Sequence, residues 1–386
     1  MYDFDSVIDR RGTGSLKWDV EPNELPMWVA DMDFQAAPCI REAIAKRLEH
    51  GVFGYSIIPD EWAESYIKWW SERHHLDIEA EQLVFCTGVV PAISTCVRKL
   101  TSPAEKILLQ TPVYNMFFNS IVNNGRYIIE SPLVYDGDGY HIDFADLEDK
   151  LSDPQTSLMV LCNPHNPVGR IWTYDELAKI GELCKKHGVT VISDEIHCDI
   201  TAPGSEYVPF ASVSPVCREI SVTCIAPTKC FNIAGLQTAA VMIPDPKLRH
   251  KVWRALNTDE VAEPNVFAVD VAIAAFNNGG EWLDEFREYV FENKRIVAEF
   301  LRDNIPEIKS VPSNATYLCW LDCSSLGMPS RELAHFIREK TGLYLTAGAE
   351  YGKSGDSFLR FNTACPRQTL LDGLERLKEA VSTIKK

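Results

Sequence analysis

The stretch LMVLCNPHNPVGRIWTYDELAKIGELCKKHGVTVISDEIHCD, residues 158–199, decides the fold. Its opening run LMVLC and the later run VTVISD (189–194) are nearly continuous in apolar residues, as strands buried on both faces of a sheet must be. Between them, Thr173 and Glu176 have capping-box spacing, and Leu177, Ile180 and Cys184 recur on one helical face. Lys185, Lys186 and His187 suit a last helical turn and Gly188 a C-cap, so the second strand begins at once. This βαβ pattern predicts an α/β domain that places ligands beyond the carboxyl ends of its strands.

Runs of the same texture extend outward in both directions: LVFC (83–86), KILLQ (106–110), YIIES (127–131), ISVTCI (220–225) and AAVMI (239–243). Together they predict a mostly parallel sheet. From about residue 281 the texture changes. WLDEFREYVFENKRIVAEFLRDNI (282–305) reads as one long amphipathic helix ending near Pro306. Strand-like YLCWLD (317–322), a helix from Ser330 to Lys340, strand-like SFLRFN (357–362) and a C-terminal helix follow. The expected organisation is a large α/β domain over 46–280 and a smaller α+β domain made of 1–45 with 281–386.

Composition narrows the classes. With 386 residues, 46% of them hydrophobic, the chain is able to bury a large core. Its formal net charge of −17, with no basic run to offset it, argues against nucleic acid and anionic membranes as partners. No stretch approaches the roughly 18 apolar residues of a membrane span. The N-terminus, MYDFDSVIDRRGTGSLKWD, is polar and lacks the apolar core of a signal peptide, so a cytoplasmic location is expected. Twelve cysteines are scattered, several among apolar neighbours, and Cys319 and Cys323 lack a second pair to make a zinc site. They read as reduced thiols, with no metal expected.

Chemistry gathers at the predicted carboxyl ends. APTKCFNIAGL (226–236) sets Lys229 just past one strand, where an amine with a lowered pKa is able to form a Schiff base and shuttle protons. Asp194 closes another strand. It is either a helix cap or a buried carboxylate that requires a cation such as a protonated ring nitrogen. Asn163-Pro164 and Asn166-Pro167 force a rigid turn, with an asparagine amide able to meet a phenolate oxygen or simply to close the turn. Thr87-Gly88-Val89-Val90 opens a helix whose free N–H groups suit a phosphate, although many βα turns carry a glycine.

These motifs, NPHNPVGR (163–170), SDEIH (193–197), PTKCFNIAGL (227–236) and FLRFN (358–362), resemble those of fold-type I pyridoxal-phosphate (PLP) enzymes of the class I/II aminotransferase superfamily, over essentially the whole chain. RRGTGSLKWD (10–19), MWVADMDF (27–34), FGY (53–55), TGVVPAI (87–93) and DEIHCD (194–199) resemble one branch more closely, the cystathionine β-lyases or C–S lyases of the MalY/PatB type. Typical aminotransferases have tyrosine where His197 stands and arginine where Gln237 stands.

The resemblance implies the fold of PLP-dependent transferases and a set of roles. Lys229 would carry the cofactor and act as acid and base. Asp194 would keep the pyridine nitrogen protonated. Asn166 would bond the phenolate oxygen with His197 nearby, and Tyr114 would stack on the ring. Backbone N–H groups of Val89 and Val90, with the Thr228 hydroxyl, would hold the phosphate. Tyr55 would reach the phosphate of a neighbouring subunit, implying a homodimer with shared sites. Arg360 would clamp the substrate carboxylate, helped by Asn166. Two positions depart from many relatives: Ala226 replaces a phosphate-binding serine and Gln237 the phosphate-binding arginine. The activity implied is β-elimination from L-cystathionine or related cysteine S-conjugates, giving a thiol, pyruvate and ammonia. Amino-group transfer is the alternative, since the same site residues serve both. A lyase with an added protein-binding regulatory role is another.

Overall fold

In the computed structural model, which describes residues 2–384, all seven apolar runs form strands of one sheet. They are β1 (Leu83–Cys86), β2 (Lys106–Leu109), β3 (Tyr127–Glu130), β4 (Thr156–Cys162), β5 (Thr190–Asp194), β6 (Ser221–Ile225) and β7 (Ala239–Met242). The spatial order is β1-β7-β6-β5-β4-β2-β3. Every neighbouring pair is parallel except those of β7, which runs antiparallel between β1 and β6. Alternate residues of one strand feed opposite cores. Val160 and Ile192 join one cluster, whereas Met159, Leu161 and Val191 join the other. That two-sided burial is why the inner strands read as unbroken apolar runs, whereas the edge strand β3 has Tyr127 exposed and its other residues half-buried.

The helix between β4 and β5 spans Tyr174–His187. Thr173 caps it, its hydroxyl accepting from the Glu176 N–H while the Glu176 carboxylate accepts from the Thr173 N–H, and Gly188 closes it in the left-handed region. The long helix spans Gly280–Asn304. Beyond it, β8 (Lys309–Ser310), β9 (Leu318–Asp322), β10 (Thr346–Ala347) and β11 (Phe358–Asn362) form an antiparallel sheet in the order β8-β9-β11-β10. Leu321, Leu359 and Phe361 of that sheet pack with Leu333 and Leu374 from the helices Ser330–Thr341 and Arg367–Ile384.

One pairing crosses most of the chain. Leu25–Pro26 lies parallel to Leu343–Tyr344 and sends residues 27–34 across the carboxyl edge of the large sheet. Among the described residues no helix is long and apolar enough to cross a membrane. All twelve cysteines are free, and eleven of them are buried.

Candidate active site

Parallel strands present their carboxyl ends on one edge, and β1 shares their direction because two antiparallel pairings restore it. That edge collects Thr87 to Val90 after β1, Tyr114 after β2, Asn166 after β4, Asp194 at the end of β5 and Thr228 and Lys229 after β6. All of them, together with His197 and Gln237, line one cavity of about 280 Å³. A larger cavity of about 620 Å³ adjoins it, sharing Ala30, Tyr114 and Lys229 and adding Trp28, Tyr344 and Arg360.

Lys229 donates from Nζ to the Ala30 carbonyl at 2.6 Å. Burial, and then the Arg360 charge, bring its pKa down to about 8, against the pull of Asp31 and Asp194. Asp194 is buried and accepts one hydrogen bond, from the Ile196 N–H at 3.2 Å. Burial pushes its carboxyl up to about 7, reinforced by Glu195 and opposed by the Ile196 bond and Lys229. The amine is thus poised to exchange protons near neutrality, and the carboxylate is short of a cationic partner. His197 is driven down to about 3, by burial first and then by Lys229 and Arg360, so it stands neutral. Tyr114 is pushed up to about 12 by burial and remains a neutral phenol.

Arg360 is buried in β11. Its Nη2 donates to the Trp28 carbonyl at 2.9 Å and its Nη1 to Asn166 Oδ1 at 3.4 Å, while Nε has no partner among the described residues. This guanidinium at the mouth of the cavity is a ready-made carboxylate site. Neighbouring Glu195 is fully buried but satisfied, accepting from Ser193, Tyr207 and the Phe210 N–H. It braces the turn after β5.

The cavity fits pyridoxal phosphate. Asp194 lacks the cation that a protonated pyridine nitrogen supplies, and His197 Nδ1 is buried without a partner among the described residues. The helix Val89–Leu100 starts at the cavity wall, so its first N–H groups are available to a phosphate. Gln237, in the left-handed region at φ 52°, stands there without a positive charge, and the buried Ala226 offers no hydroxyl. Tyr55 lies outside: it is fully exposed and lines neither cavity.

MWVADMDF and RRGTGSLKWD stand in the sequence as signatures, and the physical role of residues 27–34, a strap over the sheet edge, and of the basic residues before it emerges here. Residues 28–31 supply the carbonyls that receive Lys229 and Arg360, while Asp31 and Asp33 are gripped by Arg10 and Lys17. Two acidic residues on the strap and two basic residues just upstream were the available signal.

A family model described as aminotransferase class I and II matches residues 25–377. Cystathionine beta-lyase PatB of Bacillus subtilis is 44% identical over 385 residues, covering 98% of this chain and all of its own length. Cystalysin from Treponema denticola, a structure that contains pyridoxal 5'-phosphate, superposes with a TM-score of 0.96 at 34% identity, with full coverage of both chains. The PLP-bound C–S lyase from Staphylococcus hominis gives 0.92 at 32% identity, covering 98% of this chain and 99% of its own.

Proposed function

We infer that this chain, which belongs to the class I and II aminotransferase family, is a pyridoxal-phosphate-dependent C–S β-lyase that cleaves L-cystathionine or related cysteine S-conjugates to a thiol, pyruvate and ammonia. The carrying observation is the convergence of the Lys229 amine, the underpaired Asp194 carboxyl and the Arg360 guanidinium on one pair of joined cavities. The 44% identity to a cystathionine β-lyase, spread over that relative's full length, supports the same reading.

Bound pyridoxal phosphate supplies an electron sink for the pair left on Cα when its proton departs. This chain's residues do the rest. Lys229 would anchor the cofactor through Nζ, and the same amine would take the Cα proton of the substrate. Asp194 would hold a proton on the pyridine nitrogen. Asn166 would donate its amide to the phenolate oxygen beside neutral His197, and Tyr114 would cover the ring. The N–H groups of Val89 and Val90, with Thr228, would hold the phosphate. Arg360 orients the substrate by its α-carboxylate, with Asn166 alongside. The sulfur leaves as a thiolate, and the enamine set free hydrolyses to pyruvate and ammonia.

The reading includes a homodimer. Residues 52–58 expose Val52, Phe53, Tyr55, Ile57 and Ile58, an apolar run suited to a second copy, and Tyr55 is the residue assigned to the partner's phosphate. It also includes a large domain over 46–280 with a smaller one of 1–45 and 281–386, and a cytoplasmic location, where twelve unbonded thiols remain reduced.

Product analysis tests the activity. Purified protein loaded with PLP is given L-cystathionine with and without a 2-oxo acid. Thiol and pyruvate formed without the oxo acid, and abolished by Lys229→Ala, are expected. Amino-group transfer that requires the oxo acid would replace the lyase assignment with an aminotransferase.

A further inference from the structure

Residues 27–34 are held at nearly every step. The Asn362 amide donates to the Val29 and Asp31 carbonyls at 2.6 and 2.7 Å, and the Asn232 amide to those of Met32 and Phe34 at 3.0 and 2.9 Å. The Ala30 carbonyl receives two donors, Lys229 Nζ at 2.6 Å and the Tyr317 hydroxyl at 3.0 Å. Arg10 forks onto Asp31 at 2.8 Å and reaches Asp33 at 2.7 Å. Lys17, only 1% exposed, meets Asp33 at 2.7 Å and Asp31 at 3.6 Å, and Trp18 Nε1 adds a bond to Asp33 at 2.8 Å. A buried lysine paired this closely is costly to assemble, and its geometry fixes the backbone between its partners.

We propose that Asp31, seated by the Arg10 and Lys17 that also hold Asp33, is a positioning residue for Lys229: the cage fixes the Ala30 carbonyl as the acceptor of the free amine, and Asp31 faces the charge that the amine gains with a proton. This rests on the assignment of Lys229 made above. An amine that gives one N–H to Ala30 keeps its lone pair for the substrate proton. The ammonium then formed meets both the carbonyl and the Asp31 field. The charged groups facing Lys229 are Asp31 on the strap, Asp194 after β5 and Arg360 on β11, with neutral His197 and Tyr317 beside them. Those facing Asp31 are Arg10 and Lys17, together with Lys229 itself.

The test reads the amine directly. Full-length protein freed of cofactor is acetylated with acetic anhydride across a pH series, and modification of Lys229 is followed by peptide mass spectrometry. Asp31→Asn removes the facing charge and is expected to strengthen Lys229 as an acid by about tenfold, moving half-labelling down by about one pH unit. Tyr317→Phe removes the competing donor from Ala30 and is expected to move half-labelling upward. Opposite movements sustain the proposal. A curve coincident with the native one for either folded variant overturns it, whatever the loss of thermal stability. Should Asp31→Asn fail to fold, Tyr317→Phe decides alone. Turnover surviving in Lys229→Ala would instead overturn the assignment of Lys229, and the labelling curves would be unaffected by that outcome.

Discussion

Replacing Asp194 by asparagine should make the cofactor-free protein more stable while abolishing its chemistry. The native carboxyl is buried with one hydrogen-bond donor and its pKa is pushed from 3.8 up to about 7. Below pH 4 the group is protonated in both folded and unfolded chains, and its ionisation costs nothing. Between pH 4 and 7 the unfolded chain ionises and the folded chain does not, so stability is lost as pH rises, and the loss is complete above about 7. At about 1.4 kcal/mol per pH unit, the cost is about 1.5 kcal/mol at pH 5 and about 4 kcal/mol at pH 8. Asparagine carries no such cost at any pH. His165 and His197, pushed down by burial to about 4 and about 3, titrate oppositely in the same window, but they do so in both proteins and cancel in the comparison. The assay is urea denaturation of both cofactor-free proteins in parallel at pH 5 and pH 8. The variant's advantage should grow with pH, and added PLP should stabilise the native protein more than the variant. A variant no more stable than native at pH 8 would refute the argument that Asp194 is a strained, underpaired carboxylate.

Two other substitutions probe different parts of the site. Arg360→Ala should raise KM for the amino-acid substrate, at a cost of about 2–4 kcal/mol in kcat/KM for the loss of a desolvated carboxylate partner. An unchanged KM in steady-state assays would place the carboxylate elsewhere. Gly169→Ala should lower the thermal midpoint and loosen the Asn166 turn, because φ is 70° and an added Cβ would lie 2.6 Å from Ser313 Cβ and 2.9 Å from the Ala315 carbonyl. Calorimetry should register a loss of about 1–3 kcal/mol, and an undisturbed midpoint would contradict that packing.

Much of the large sheet was legible because burial on both faces leaves a local trace. Runs such as LMVLC and ISVTCI cannot be amphipathic, and the Thr173–Glu176 cap and Gly188 mark the helix between two of them. The reversed direction of β7 had no such trace, since AAVMI reads alike in either orientation and only the connection through Gln237 turns it round. The hairpin of Val134–Tyr135 with Tyr140–His141 was too short and polar to stand out. Lys229, Asp194 and Asn166 were legible because strand ends in an α/β sheet are where ligands gather. The strap was not, because what it offers Lys229 and Arg360 is backbone carbonyl oxygen, which every residue type possesses. Recognition of Leu25–Pro26 as the partner of Leu343–Tyr344 required knowledge of a contact more than 300 positions apart.

That long pairing bears on how the protein is made. Ala30 receives an amine from Lys229, 199 positions later, and Trp28 a guanidinium from Arg360, 332 positions later. The strap is made more than 300 residues before the strand it lies beside and the arginine it holds. Until then, Met27 to Phe34 lack some of the neighbours that satisfy their carbonyls. The active site closes only once β11 has been made, and a chain cut short before β11 would keep the strands of its large sheet while lacking the arginine for its substrate.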